Sequence, residues 1–187
     1  MKGLAVLLMI VAGCSSQQKA TGPYAVQEES LRDTEKAKNL TIAAANRIDA
    51  DPSTAEELLR EALAADLFHG PAHNNLGVVF LAQGKLYEAA GEFEWARKLM
   101  PGHPDPRVNL ALTLERAEKT DDALAAYSAA LEVHPGYLPA IMGAASLAAR
   151  TGREDERLAG WIEEIALRAE DEAWAKWARE RLALGSR

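Results

Sequence analysis

Cysteine is almost missing from this chain. One thiol, Cys14, stands in 187 residues. That excludes an internal disulfide framework and a thiolate metal cage. No block of basic residues appears, the net charge is −7, and the sequence pI is about 5.2. The chain therefore lacks the electrostatic footprint of a nucleic-acid binder. Its one unbroken apolar run, Leu4 to Ala12, has nine residues, far short of the roughly 20 that a membrane-spanning helix needs. No glycine-rich loop is present to cradle a phosphate. Serine, histidine and aspartate show no spacing that suggests a triad. What is present is ordinary for a globular protein: 48% hydrophobic and 26% charged residues, so wholesale disorder is excluded. Glycine and proline are modest, and alanine, leucine, glutamate and arginine dominate, which points to an all-α protein. The length bounds it to one domain or one short repeat array.

The N-terminus reads as an address. Met1-Lys2 is a short positive start, Leu4–Ala12 reads as the apolar region of a secretory signal, and small residues follow. Val11-Ala12-Gly13-Cys14 resembles the lipobox of bacterial lipoproteins. The resemblance implies that residues 1–13 are a signal peptide, that the Cys14 thiol takes a diacylglyceryl group, and that cleavage before Cys14 frees an amine for further acylation. Two or three acyl chains make anchoring stable where one is marginal. Ser15 after the cysteine implies, in a diderm bacterium, sorting to the outer rather than the inner membrane. The folded part would then stand in the periplasm or at the cell surface. Residues 14–25 are small and polar and read as a lipidated, flexible tether.

The rest is organised by a period of 34 residues, which marks a repeat architecture. Ile42, Leu76, Leu110 and Ala144 align. So do Ala43, Gly77, Ala111 and Ala145, then Phe80, Leu114 and Ala148, with Asn46 breaking that column in the first unit. Ala55, Ala89 and Ala123 align, as do Leu59, Phe93, Tyr127 and Trp161, and Ala62, Ala96 and Ala130. Pro101 and Pro135 close the two middle units. The run Asn75-Leu76-Gly77-x-x-Phe80, then Gly84, Ala89, Phe93, Ala96 and Pro101, closely resembles the tetratricopeptide repeat. Asn109-Leu110-Ala111-x-x-Leu114, then Ala123, Tyr127, Ala130 and Pro135, is a second such unit. The resemblance spans roughly residues 36–170. It implies a right-handed α-solenoid of antiparallel helix pairs, about 3–4 repeats at 36–69, 70–103, 104–137 and 138–171, with a capping helix at 171–184 inside a repeat domain of 26–187. Small residues would stand where paired helices cross and large ones fill the holes beside them. Asp51-Pro52, Asp105-Pro106 and Thr120-Asp121-Asp122 read as helix starts.

The outer units depart from the pattern. Asn46 would need partners if buried, so the first helix is expected to be shifted or exposed there, with a start as early as Val26. Arg157 and Glu164 stand at alanine positions of the fourth unit, where a close crossing cannot hold them. Trp174 and Trp177, three apart, share a face of the last helix and read as packing.

The resemblance implies that the first helix of each unit lines a concave groove. Mapped here, the groove takes Leu40, Ala44 and Arg47 from the first unit and Asn74, Asn75, Val78, Leu81 and Ala82 from the second. It takes Asp105, Val108, Asn109, Leu112, Glu115 and Arg116 from the third, and Met142, Ser146 and Arg150 from the fourth. None is lysine, so the lysine-rich carboxylate clamp of a related subclass is rejected. The floor reads as largely apolar, with Asn75 and Asn109 able to donate to and accept from a peptide backbone. It suits an apolar or amphipathic segment of another protein. Packing between helices would equally account for these valines and leucines.

His69 and His73 are four apart, but Gly70-Pro71 lies between them, so they read as a solvated turn rather than a metal site. No metal and no cofactor is expected. Three readings follow. One is a lipid-anchored adaptor or assembly factor of a bacterial envelope, whose layout resembles pilotins of pilus and secretion channels. Another is a scaffold that self-associates through Trp174 and Trp177. The third is an enzyme with a helical active site, which nothing in the sequence demands, so the chain is read as a non-enzyme.

Overall fold

The structure, a computed structural model, describes residues 32–185. The signal peptide, Cys14, the tether and the helix start near Val26 lie outside the described residues. Among those described there are nine α-helices and no strand. They are α1 (Thr34–Ala45), α2 (Pro52–Ala65), α3 (Gly70–Ala82), α4 (Leu86–Leu99), α5 (Asp105–Arg116), α6 (Thr120–Val133), α7 (Leu138–Thr151), α8 (Leu158–Arg168) and α9 (Glu172–Gly185). Each helix packs on the next, and α1, α3, α5 and α7 also touch in turn. The result is a solenoid with one face lined by α1, α3, α5 and α7.

Local chemistry sets the helix ends. Asp51 caps α2 by accepting from the Thr54 amide at 3.1 Å, with Pro52 in the first turn. The Thr54 and Ser53 side chains and the Thr54 amide hold its carboxyl down at about 2. Asp33 caps α1 in the same way, accepting from Lys36 N at 2.9 Å. By contrast α6 has no side-chain cap; Asp121 and Asp122 fall inside its first turn, where the helix dipole favours carboxylates. The tight turn after α3 uses Gly84 at φ +76°, and the equivalent turn after α5 puts Glu118 at φ +60°. In both, the next amide closes back: Lys85 N to Phe80 O and Lys119 N to Leu114 O, each 2.9 Å.

The core has two parts. An N-terminal cluster gathers Leu59, Leu63, Leu76, Val79, Phe80 and Phe93; a C-terminal one gathers Tyr127, Ile141, Leu147, Trp161, Ile162 and Ile165. Leu114 packs against both. The alanine columns are completely buried at Ala55, Ala62, Ala89, Ala96, Ala123 and Ala130, which lets paired backbones approach.

The end units break the 34-residue register. In α1 the buried residues are Ala37, Thr41 and Ala44, while Ile42 is 53% exposed and leaves its expected column. Thr41 satisfies its hydroxyl on Ala37 O at 2.8 Å. A longer connection, residues 46–51, replaces the short turn of the middle units and frees α1 to slip by one residue. Asn46 becomes the exposed C-cap, so its amide is never buried. The fourth unit slips too. Residues 152–157 connect α7 to α8, and α8 buries Trp161, Ile162 and Ile165. Arg157 moves out of the crossing to an ion pair with Asp155, and Glu164 pairs with Arg168. α8 packs more extensively on α9 than on α7. The last helix thus pairs with α8, and Trp174 and Trp177 meet each other edge to face and pack against the C-terminal core.

Candidate functional site: the concave groove

On α5, Asp105, Asn109, Leu112 and Arg116 are spaced four, three and four residues apart, so they share one helical stripe. Leu112, at its centre, is 41% exposed. α3 contributes Asn74, Asn75, Val78 and Leu81, all half-buried, with Ala82 exposed at the rim. α7 contributes half-buried Met142 and Ser146 and exposed Arg150. Leu40 is half-buried and Arg47 exposed at the α1 end.

Polar rungs tie these stripes together across the repeats. Asn109 Nδ2 donates to Asn74 Oδ1 at 3.0 Å, and Asn74 Nδ2 donates to Asn75 Oδ1 at 3.3 Å. That chain of carboxamides leaves a donor at the Asn75 end and an acceptor at the Asn109 end. Arg116 Nη1 donates to Leu81 O at 2.9 Å, and Arg150 donates to Glu115 Oε1 at 2.6 Å. The rungs Asn74–Asn109, Leu81–Arg116 and Glu115–Arg150 all join residues 35 apart, one beyond the period, because stacking offsets each helix on its neighbour.

Two residues expected in the groove are elsewhere. Val108 is only 7% exposed and packs in the C-terminal core. Ala44 is fully buried against α2 and α3 because of the slip of α1. The floor is also less apolar than the sequence suggests: Val78, Leu81 and Met142 spend much of their surface on the core.

Two tyrosines join the groove that its sequence pattern did not include. Tyr127 reaches from α6 through the core and donates to Glu115 Oε2 at 3.2 Å. Burial first, and then Glu115, push its hydroxyl well above the usual phenol value. Tyr137 donates to Asp105 Oδ1 and is pushed up to about 12 by burial and that carboxylate. The signal for Tyr127 was present: a hydroxyl in a column otherwise held by leucine, phenylalanine and tryptophan needs a buried partner.

His73 is not in a solvated turn. It is fully buried at the α3–α4 crossing, with Nε2 2.9 Å from Leu67 O and Nδ1 2.6 Å from Glu92 Oε2. A carbonyl only accepts, so Nε2 carries a hydrogen; a second lies between Nδ1 and Glu92, where two lone pairs would repel. The Trp95 ring stacks at 5.8 Å. His69 is half-buried at the α3 N-cap, and burial holds its imidazole below the usual value. Among the described residues no three histidines, cysteines or carboxylates are placed to hold a metal ion, and no helix is long and apolar enough to cross a membrane.

Comparison with known proteins agrees with this architecture. No curated protein sequence matches the chain. Similar solved structures include the first TPR domain of Spaghetti (RPAP3) bound to an HSP90 peptide, SRMEEVD, at TM-score 0.61 and 15% identity over 65% of this chain and 98% of that one. MamA aligns at TM-score 0.60 and 18% identity over 81% and 82%. The Sgt2 TPR domain from Aspergillus fumigatus aligns at TM-score 0.60 and 20% identity over 69% and 91%. At these identities the likeness is one of fold. The family model described as protein kinase G tetratricopeptide repeat matches residues 15–170. With the solenoid and its paired-helix columns already in place, that match shows that the chain belongs to the protein kinase G tetratricopeptide repeat family.

Proposed function

We propose that this protein is a lipid-anchored interaction module of a bacterial cell envelope, and that its concave groove holds a segment of another protein. The tetratricopeptide repeat fold supports a protein-binding role without catalysis, and the similar TPR domain of RPAP3 is described as bound to a peptide. The observation that carries the reading is the α5 stripe. Leu112 is a large apolar side chain, exposed, and flanked by an asparagine ladder and by Arg116. An extended or helical segment laid there would bury Leu112 and meet the open donor of Asn75 and the open acceptor of Asn109. No lysine stands among the groove residues, so selection of an acidic C-terminus by a lysine clamp is not part of the proposal.

Anchoring rests on Val11-Ala12-Gly13-Cys14. Lipid at Cys14 would hold the module at a membrane, the outer one in a diderm organism, and so confine its search for a partner to the envelope. Pilus or secretion-channel assembly is one such setting, and the captured partner's identity decides it.

A photo-cross-linking residue at position 112, irradiated in living cells, tests the groove. A discrete envelope protein in the adduct supports it. Absence of any adduct from a folded, membrane-bound protein overturns it. Leu112→Glu is expected to abolish capture with helicity unchanged. Cys14→Ala is expected to move the protein from membrane to soluble fractions; retention on the membrane sinks the anchor.

A further inference from the structure

The convex face carries a second feature, visible when the two middle repeats are superposed on their 34-residue period. In the second repeat the space between α3, α4 and the segment after α2 is filled by His73, Glu92 and Trp95, with His73 Nε2 against the Leu67 carbonyl. The equivalent residues in the third repeat are Arg107, Ala126 and Ala129. A carboxylate and an indole have both become methyl groups, and Phe80 has become Leu114. The volume they would occupy is open. A cleft of about 420 Å³ lies between α4 and α6, lined by Ala90, Leu110, Leu114, Ala126 and Ala129 and flanked by charges.

Those charges are not evenly spread. Glu94 and Arg97 pair with each other at 2.6 Å. Asp122 lies in the first turn of α6 and Arg107 in the first turn of α5; because the two helices are antiparallel, these charges sit at opposite ends of the cleft. Arg107 gives Nη1 to His103 O at 2.9 Å. Its Nε and Nη2 have no partner among the described residues. A nitrogen donor stands at the position of His73 in both repeats, and the carboxylate that answers it in the second, Glu92, is Ala126 in the third.

We propose that this cleft is a second docking site, distinct from the groove, for a protein segment that offers an aromatic side chain with a carboxylate beside it. The ring lies over Ala126, Ala129 and Leu110, in the place Trp95 holds one repeat earlier. The carboxylate meets Arg107, whose guanidinium can take it through two parallel hydrogen bonds. Binding in this way restores across two molecules the packing that the second repeat completes within itself. The site would leave the concave groove free, so one module could hold two partners.

The probe is indole-3-propionate, which carries both groups, titrated into full-length protein with labelled alanine methyls. Its uncharged analogue, indole-3-propanol, is the control. The expected result is saturating shifts at Ala126 and Ala129, with the acid binding about fivefold tighter than the alcohol, the ratio given by one charge-assisted contact at a half-exposed site. Arg107→Gln should bring that ratio to one. Ala129→Trp, which rebuilds the second repeat's filling, should abolish the shifts while Leu112→Glu leaves them intact. Should Ala129→Trp fail to fold, Ala126→Met fills the same space more gently. Equal binding of acid and alcohol overturns the proposal, as do shifts that persist in a folded filled variant. Shifts of the same methyls with protein concentration alone would put a second copy of this chain in the cleft, and would overturn it as well.

Discussion

The second and third repeats share their columns and differ in what they do with them. Phe93 and Tyr127 occupy the same position, each fully buried. Phe93 leans on its own repeat's first helix: a Cβ added at Gly77 would stand 2.6 Å from its ring. At the equivalent site the third repeat has Ala111, which closes that space. Tyr127 instead presses against Gly143 of the next repeat, where a Cβ would enter the ring, and spends its hydroxyl on Glu115. The ring thus packs where a side chain is missing: at Gly77 for Phe93, and for Tyr127 at Gly143, whose equivalent one repeat earlier is Asn109. The same contrast recurs nearer the start of the first helix, where His73, Glu92 and Trp95 fill what Arg107, Ala126 and Ala129 leave open.

The largest effect is expected from breaking the buried pair that only the second repeat has. His73→Leu removes the imidazole 2.6 Å from the buried Glu92 carboxyl, and the loss should be about 3 kcal/mol, read from denaturant midpoints. His73→Leu with Glu92→Leu should recover most of it, because an apolar pair of similar volume replaces two groups that had to be desolvated. A double variant as weak as the single one would show that the pair does more than satisfy itself.

Next come the two glycines. Gly77→Ala and Gly143→Ala each force a ring off its site and should cost about 1–3 kcal/mol. They should do so in different places: Gly77→Ala perturbs the Phe93 environment and spares Tyr127, and Gly143→Ala does the reverse, as methyl and aromatic NMR shifts would report. Smaller still is Tyr127→Phe, which makes the third repeat resemble the second. It should cost about 1 kcal/mol in thermal unfolding, the net worth of a hydrogen bond. At the small end, Glu118→Gly gives the turn after α5 the residue that Gly84 supplies after α3. It should stabilise by about 0.5–1 kcal/mol, since a side chain at positive φ is strained; a loss of stability would mean that Glu118 earns its strain elsewhere.

Much of the fold was legible because the repeat motif is local. Alanine at 89, 96, 123 and 130 and large residues at 93 and 127 report the helix crossing directly, whatever surrounds them. The groove was legible only as a set of helix positions. Val108 belongs to that set yet is buried in the C-terminal core, while Asn74 and Met142, its equivalents one repeat either side, are half-buried, a difference that no periodicity contains. His73 misled for a related reason. Gly70-Pro71 marks a helix start, but whether a helix start is wet depends on what the previous repeat lays over it, here Leu67 and its carbonyl.

Composition, period and small-residue columns determined by themselves that the chain is all-α, that its helices pair, and where the middle pairs cross. These follow from short-range propensity and from the volume of side chains a few residues apart. Tertiary stacking alone decided the slip of α1 and of α8, the pairing of α8 with α9, the asparagine ladder, and the difference between a filled and an open cleft. Each depends on how separate helices are laid against one another, whether they are neighbours in the chain, as α8 and α9 are, or one repeat apart, as in the rung from Asn74 to Asn109, and no single helix's run of sequence carries that geometry.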